Sequence, residues 1–356
     1  MEKCAYCGRE NEGNALACSE CGTDLAGEAQ PHQAAQATSE PRAPLNLQDV
    51  ERGFTVHDGF SRPCWRFILR PLRQCPTAEE REIRENEFVT QWASRWQCEL
   101  GHDYWMSASG SFFLVSELDG EKAERLLQKA NWLAEKIRSF LGPLAWDDRP
   151  HILIVHVIDE ALARRFDEAV SPAEEDTAAF RMAARLAPAW ILICSENEGV
   201  MLEDVESALI GTSLGHLPLP RWLNLGIGGQ LRRVIETART GRSRDIVDLE
   251  LVPEHRRFWN QTTIQSFWAG TGETEYPTQS RLFYELSNIL VQLLVDKAST
   301  LVDYLRCAQQ EDAGESAARV CFKAGLNDLA GTFLGPGSWT PDPLAIAECW
   351  DRVRGM

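Results

Sequence analysis

Apolar residues recur along most of the chain at spacings typical of either helices or strands. Thr77 to Trp96 opens with the capping sequence Thr-Ala-Glu-Glu and continues as an apolar stripe, and Asp119 to Leu141 repeats the helical spacing over a longer stretch. Short apolar runs at 111–116, 151–157 and 189–194 predict buried strands. Helices and strands thus alternate, and the pattern predicts an α+β body.

Weaker signals fill the rest of this body. Arg66 to Arg70 predicts a short strand, whereas residues 160–186 predict helix with an acidic interruption at 171–177. Towards the C-terminus, the apolar positions of Tyr284 to Leu294 predict a helix, and so does the segment 312–318. The C-terminal part of the chain is therefore expected to be helical.

Near the N-terminus, four cysteines form two Cys-x-x-Cys-Gly pairs, Cys4 with Cys7 and Cys18 with Cys21. Each pair can place two thiolates on one side of a tight turn, and four thiolates complete the tetrahedral shell of a structural Zn²⁺. So short a segment cannot bury a useful core, and metal binding would supply most of its folding free energy. Residues 1–26 resemble the zinc-ribbon modules at the N-termini of many bacterial proteins, and one structural zinc is expected.

The predicted ribbon is tethered to the body rather than packed as part of it. Residues 27–60 are rich in Ala, Gln, Pro, Ser and Thr and predict a flexible linker, because they offer few large apolar side chains. The ribbon itself carries more acidic than basic residues. That balance favours a contact with protein, or a simple folded cap, over a contact with nucleic acid.

A proline-tryptophan segment carries a resemblance to a known family. Leu219-Pro-Arg-Trp-Leu-Asn224 and Gly226 are similar to the L-P-x-W-L-x-E-G segment that follows the active-site helix in gluzincins, the peptidase MA-like zinc metallopeptidases. The resemblance extends from about Phe112 to the C-terminus. It implies a thermolysin-like domain with an α+β half at 61–240 and a helical half at 241–356.

The zinc-binding motif of that family, H-E-x-x-H, does not occur in the sequence. Alignment on the proline-tryptophan segment places the two histidine positions at Ser207 and Gly211, the general base at Ala208 and the third ligand at Leu225. The motif works because residues four apart share one helix face and present two imidazoles to the metal. The residues found here offer neither nitrogen nor carboxylate, so the resemblance implies a peptidase-like scaffold with no catalytic residues.

A scaffold of this kind could still bind protein. The cleft between the two halves follows from packing rather than from the metal, and small residues at Ser207, Ala208 and Gly211 would leave it open to an extended peptide along a sheet edge. Ribbon and body would then be two contact surfaces joined by a linker. The alternatives are a protein that only keeps the fold, with side chains filling the cleft, and a hydrolase with other active-site residues.

One such hydrolase would use a serine nucleophile. Gly211 to Gly215 matches the G-x-S-x-G nucleophile elbow, with Ser213 as the nucleophile and His255 plus Asp245 or Asp248 as its partners. The elbow needs a strand directly before the serine, whereas a helix-like segment precedes it here.

The other hydrolase would be a metallopeptidase with non-standard ligands, for which His151, His156, His216 and Glu206 are the candidates. His151 and His156 are five residues apart on a predicted strand and therefore face opposite sides. His156 is expected to be a hydrogen-bonded core residue instead, and His216 to bond backbone at a helix end.

Two other groups of chemically notable residues stand outside these hypotheses. The cysteines beyond the ribbon show no ligand spacing, and Cys194, Cys307 and Cys321 are expected to be buried on apolar faces. The stretch from Arg232 to Arg244 is locally basic. It is interpreted as a solvated face, with a contact to an anion or a partner as the alternative.

Net charge and hydropathy restrict the classes of partner that the chain is expected to bind. The net charge of −17 opposes binding to phosphate backbones and to anionic lipid surfaces, so no nucleic-acid partner is expected. No apolar run approaches the roughly 20 residues that span a bilayer, and the polar N-terminus lacks the apolar core of a secretory signal. Together with clustered cysteines, this favours a reducing compartment and a cytoplasmic protein with a protein or peptide partner.

Overall fold

The computed structural model describes residues 2–3, 10–11, 53–65, 67–68, 72, 74–144, 152–171, 190–215, 217, 219–242, 250–295 and 298–354. Within these residues the chain is α+β: its strands all precede residue 194, and helices make up the part that follows. The predicted fold class is therefore confirmed at this level. The predicted linker residues 27–52 and the segment 172–189 lie outside the described residues.

The main sheet has four strands: β5 (Trp105–Ser109), β6 (Phe112–Ser116), β7 (Ile152–His156) and β8 (Trp190–Ile193). They lie in the order β5-β6-β7-β8, with β5 antiparallel to β6 and the other neighbours parallel. All residues of β6 and β7 are buried, as expected of parallel strands covered on both faces. The three predicted apolar strands are confirmed.

Helices cover the sheet and form the C-terminal part of the chain. The described helices are α1 (Ala78–Leu100), α2 (Gly120–Leu141), α3 (Glu160–Val170), α4 (Glu198–Gly215), α5 (Arg221–Thr240), α6 (Val252–Phe258), α7 (Thr263–Ala269), α8 (Gly272–Glu275), α9 (Ser280–Val295), α10 (Ala298–Cys307), α11 (Glu315–Phe322), α12 (Leu326–Leu334) and α13 (Pro343–Arg354).

The predicted helix starts at Thr77 and Asp119 are confirmed by their caps. Thr77 Oγ1 accepts a hydrogen bond from the Glu80 amide at 3.1 Å, and Asp119 Oδ1 accepts one from the Lys122 amide at 2.9 Å. Each side chain thereby satisfies an amide that has no partner within the helix. The tail helix predicted at 284–294 is part of α9.

Two hydrophobic clusters lie on opposite faces of the sheet. Leu114 of β6 faces a cluster that also contains residues of α2, α4, α5 and the C-terminal helices. Its neighbours Phe113 and Val115 face a second cluster, built on α1 and α3. Successive side chains of a strand point to opposite faces, so one strand contributes to both cores. Because the first cluster reaches Cys349, the halves predicted at 61–240 and 241–356 share one core.

A hairpin corrects the predicted end of the linker. Strands β3 (Phe54–His57) and β4 (Phe60–Pro63) pair antiparallel, so the body begins before residue 61. The turn is Asp58-Gly59, and both residues have positive φ, at 46° and 85°. Asp-Gly is the preferred dipeptide for such a turn, because it tolerates positive φ at both positions. The composition of 27–60 concealed this local signal.

The hairpin is anchored on α1 and α3 by aromatic packing. Phe60 is fully buried, and its ring centroid lies 5.2 Å from that of Phe166. The Trp96 indole donates to the Ser61 carbonyl at 2.7 Å, and its ring lies 4.8 Å from Phe166. The hairpin is thus part of the second cluster and not of a tether.

At Phe67 and Ile68, the two described residues of the strand predicted at Arg66 to Arg70, the structure is helical instead. The amides of Phe67 and Ile68 both donate to the Cys64 carbonyl, at 2.9 and 3.3 Å, which makes a helical turn. Ile68 is buried and Phe67 exposed. An apolar run this short does not distinguish a strand from a turn of helix by periodicity alone.

Helices α5 and α9 approach each other closely. A Cβ built on Gly226 of α5 would lie 2.4 Å from both the Ser287 carbonyl oxygen and Val291 Cγ2 of α9, so only glycine fits there. One turn further, the Gln230 side-chain amide donates to the Asn288 carbonyl at 3.1 Å. This contact fixes α5 against the helical part of the chain.

We therefore expect Gly226→Ala to lower the free energy of unfolding by about 1–3 kcal/mol, because α5 and α9 must separate to admit the methyl group. Gly211→Ala on α4 is the matched control, since a Cβ there meets nothing within 4 Å among the described residues. That change should be neutral or stabilising by up to about 1 kcal/mol, because alanine favours helix. Urea unfolding of both variants measures the contrast, and equal effects would contradict it.

Candidate functional site

The residues that the resemblance aligns with the zinc-binding motif lie on α4. Ser207 and Gly211 are one turn apart and share a helix face. Gly211 is exposed, while Ser207 and Ala208 are half-buried, Ala208 against the main cluster. Gly215, one further turn along, is exposed as well. This stripe of small residues, which we call the α4 face, is exposed at Gly211 and Gly215 and contacted by Arg232 at Ser207.

Helix α5 lies antiparallel to α4 and contacts it at two levels. The Arg232 guanidinium donates through Nη2 to Ser207 Oγ at 3.1 Å. At the second level, a Cβ built on Gly228 of α5 would lie 3.4 Å from Ile210 Cγ2 of α4, so the two helices are in close contact there. A guanidinium therefore contacts the position that the resemblance assigns to the first histidine ligand.

The position of the third ligand is not part of this contact. Leu225 is half-buried and, together with Trp222, Phe267 and Phe283, lines a cavity of only about 10 Å³. It is seven residues from Arg232 along α5, which corresponds to about 10 Å. The structure thus places Leu225 among aromatic side chains of the helical part, and the three aligned positions carry no group that would bind a catalytic zinc.

Charged side chains surround a small cavity between α4 and α5. Glu206, Arg232, Arg233 and Glu236 line a space of about 160 Å³. Burial raises the pKa of Glu206, and the nearby Arg232 partly offsets that rise. Arg233 donates to Gln292 Oε1 at 2.8 Å. In the stretch predicted as a solvated basic face, Arg232, Arg239 and Arg242 are exposed as expected and Arg233 is half-buried. Arg232 and Arg233 supply both arginines of the mixed-charge cavity.

Sequence analysis missed this cavity, although one signal for it exists. Arg232, Glu236 and Arg239 are spaced at helical intervals, and Arg239 forms an ion pair with Glu236. Which residue of α4 would face them follows only from the helix packing. Glu206, a candidate metal ligand by sequence, lines this cavity beside two arginines.

Ser213 cannot act as an elbow nucleophile in this structure. It lies within the last turns of α4 rather than on a strand-to-helix turn, and it is fully buried. Its hydroxyl donates to the Ile210 carbonyl at 2.8 Å. The proposed partners Asp245 and Asp248 lie outside the described residues. The G-x-S-x-G match is therefore a helix sequence and not a nucleophile elbow.

His255 is engaged elsewhere, in a buried chain of hydrogen bonds. The Trp259 indole donates to His255 Nδ1 at 2.8 Å, so Nδ1 carries no proton. His255 Nε2 then donates to Glu285 Oε2 at 3.2 Å. Burial lowers the pKa of His255 against the opposing effect of Glu285, and the Trp259 donor acts in the same direction as burial.

His156 is a hydrogen-bonded core residue, as predicted. It is fully buried at the end of β7, and its Nε2 lies 2.8 Å from the Ser195 carbonyl, to which it must donate. His151 and His216, the other predicted candidates, lie outside the described residues. Across the part of the chain that the structure describes, no three His, Cys, Asp or Glu residues are grouped so that they could hold a metal ion.

Three cysteines differ in burial from expectation. Cys194 and Cys307 are exposed and Cys321 is half-buried, whereas all three were expected to be buried. Cys194 directly follows β8, and Cys307 is the last residue of α10, so both lie where the chain leaves a packed element. Cys349 of α13 is the buried one.

The predicted zinc ligands Cys4, Cys7, Cys18 and Cys21 lie outside the described residues. What the structure describes near them is one short strand pair, in which Glu2–Lys3 (β1) is antiparallel to Glu10–Asn11 (β2). The first Cys-x-x-Cys pair lies between these strands in the sequence.

Comparison of the chain with protein-family models, with curated proteins and with solved structures gives no match. The gluzincin resemblance therefore depends on the quoted residues alone. Within the described residues, no helix is both long enough and apolar enough to cross a membrane.

The chain of bonds through His255 predicts a pH-dependent stability. Since the folded-state pKa lies below the ordinary value of about 6.5, the unfolded chain takes up the proton first as the pH falls. The contribution of His255 is therefore present above about pH 6.5 and is lost as the pH falls towards the folded-state pKa. Trp259→Phe removes the donor to Nδ1. The melting temperature of this variant should therefore lie below that of the native chain at pH 8, and the difference should become smaller as the pH falls to about 5.

Trp268→Phe is the matched control for this measurement. The Trp268 indole is also buried and donates at 2.8 Å, but to the Trp339 carbonyl, which does not titrate. Its difference in melting temperature from the native chain should stay constant with pH. A Trp259→Phe difference that also stays constant would contradict the assignment of Nδ1 as an acceptor.

Proposed function

We propose that this chain is a non-catalytic, cytoplasmic zinc-ribbon protein whose body is a gluzincin-like scaffold that binds an extended peptide of another protein. The observation that carries the proposal is the α4 face. At Ser207 and Gly211, where the resemblance places metal ligands, small side chains leave the helix accessible.

The neighbouring sheet edge supports an extended ligand. Helix α4 packs beside β8, the last strand of the described sheet, which pairs on its other side with β7. A strand edge offers main-chain donors and acceptors at regular spacing, so a peptide can add to it without any catalytic group. The α4 face would then receive side chains of that peptide.

Charge favours a peptide that is not acidic. Glu203 and Asp204 are exposed one turn before Ser207 on α4, and the chain as a whole carries a net charge of −17. Like charges repel across an interface and slow association. A segment with lysine or arginine residues is therefore the expected partner at this end of the α4 face.

The ribbon proposal is supported by donor chemistry and by the β1-β2 pair. Four thiolates in two Cys-x-x-Cys pairs suit a closed, structural Zn²⁺ site that has no open position for a substrate. Lys3 pairs with Glu10, and Cys4 and Cys7 lie between these two residues in the sequence. We propose that this zinc holds the ribbon as a second contact surface.

Partner capture tests the α4 face. Gly211→Trp should fold normally, because its Cβ direction is open, and should reduce recovery of specific partners at least about tenfold by covering the face. Gly120→Trp is the matched control, since Gly120 is also an exposed helix glycine with an open Cβ direction. Quantitative mass spectrometry after capture compares the three baits. Equal partner recovery with Gly211→Trp and the native chain would refute the proposal.

Metal analysis of the full chain tests the ribbon. We expect about one zinc per chain, and loss of that zinc when Cys4 and Cys7 are both changed to serine. The control carries Cys98→Ser and Cys194→Ser, which remove exposed thiols of the body and should retain the metal. A native chain without zinc would refute the zinc-ribbon proposal. A second zinc in the native chain that is retained in the Cys4/Cys7 variant would be bound by the body, and would refute the proposal that the body is non-catalytic.

A further inference from the structure

The mixed-charge cavity between α4 and α5 has the properties of a small ligand site. It measures about 160 Å³, below the roughly 300–1,000 Å³ of pockets for drug-sized molecules. Its lining combines two carboxylates, from Glu206 and Glu236, with the guanidinium groups of Arg232 and Arg233. A compact ligand with charges of its own matches both the size and the lining.

Two of the four charged groups already have partners that hold them in place. Glu236 is in an ion pair with Arg239, one turn along α5. Arg233 donates to Gln230 Oε1 at 3.1 Å and to Gln292 Oε1 at 2.8 Å. These contacts shape the wall of the cavity.

The other two groups remain available to a ligand. Among the described residues, Glu206 makes no ion pair or hydrogen bond, and Arg232 donates only to Ser207 Oγ. The carboxylate and the guanidinium line the same cavity without forming a salt bridge to each other. Half-burial of Glu206 makes a cationic partner favourable, because an unpaired carboxylate loses hydration there.

We propose that this cavity binds a small zwitterion of the amino-acid class. The ammonium group lies against Glu206, and the carboxylate accepts hydrogen bonds from the free nitrogens of Arg232, for which a planar guanidinium is well suited. The Ser207 hydroxyl positions Arg232 by accepting a hydrogen bond from its Nη2. A ligand with only one charge would leave either Glu206 or Arg232 without a partner.

Calorimetric titration of the full chain tests this assignment. The probes are glycine, β-alanine and 4-aminobutanoate, which vary the separation of the two charges, each with its N-acetyl and its amide derivative. We expect at least one zwitterion to bind saturably, and both of its derivatives to bind at least about tenfold more weakly, because each loses one charge. The same loss is expected for Glu206→Gln and Arg232→Gln, whereas Arg256→Gln, an exposed arginine of α6, should bind normally.

Three results would overturn the proposal: no saturable binding by any of the zwitterions, derivatives that bind as well as the parent, or full binding by both cavity variants. If a variant fails to fold, the comparison of zwitterions with derivatives on the native chain decides alone. The proposed peptide surface is not required for this site, so the capture experiment and this titration can fail independently.

Discussion

The close approach of α5 to α9 sets the position of the candidate site. At Gly226 the carbonyl of Ser287 occupies the space that a side chain would need, so α5 and α9 can approach this closely only because residue 226 is glycine. The opposite side of α5 contacts α4. The packing of α5 at Gly226 therefore helps to set the level along α4 at which Gly228 contacts Ile210 and Arg232 contacts Ser207. Of the charged residues of the site, Arg233 takes part in this packing, because it donates to Gln292 Oε1 of α9 at 2.8 Å.

Much of the fold could be predicted because its signals are local. Strands buried on both faces require continuous apolar runs, and β6 and β7 have them. Caps at Thr77 and Asp119 mark helix starts by hydrogen bonds within three residues. The β3-β4 hairpin has an equally local signal in Asp58-Gly59, but it was judged by the composition of a longer window. The turn at Phe67 and Ile68 is too short for periodicity to identify.

The candidate site was less predictable because it depends on which helix faces meet. The spacing of Ser207 and Gly211 places both on one face of α4, and the structure agrees. The same alignment assigns Leu225 to that site, but Leu225 packs with Phe267 and Phe283. The residue of α5 that contacts Ser207 is Arg232. Periodicity gives the direction of each residue around its own helix, but not the rotation of one helix relative to another.

The contact between Arg232 and Ser207 also bears on metal chemistry at this place. A gluzincin site concentrates carboxylate and neutral imidazole groups around a divalent cation, and every ligand lowers the electrostatic cost of holding it. Here a permanently charged guanidinium lies 3.1 Å from the first ligand position, and no carboxylate occupies the third. Arg232 repels a divalent cation, whereas the neighbouring carboxylates of Glu206 and Glu236 attract one, so charges of both signs act at this place. Histidines placed at Ser207 and Gly211 would therefore lie beside a guanidinium group as well as carboxylates. The guanidinium of Arg232 is thus a second difference, beside the missing imidazoles, between these positions and the ligand positions of the motif that they resemble.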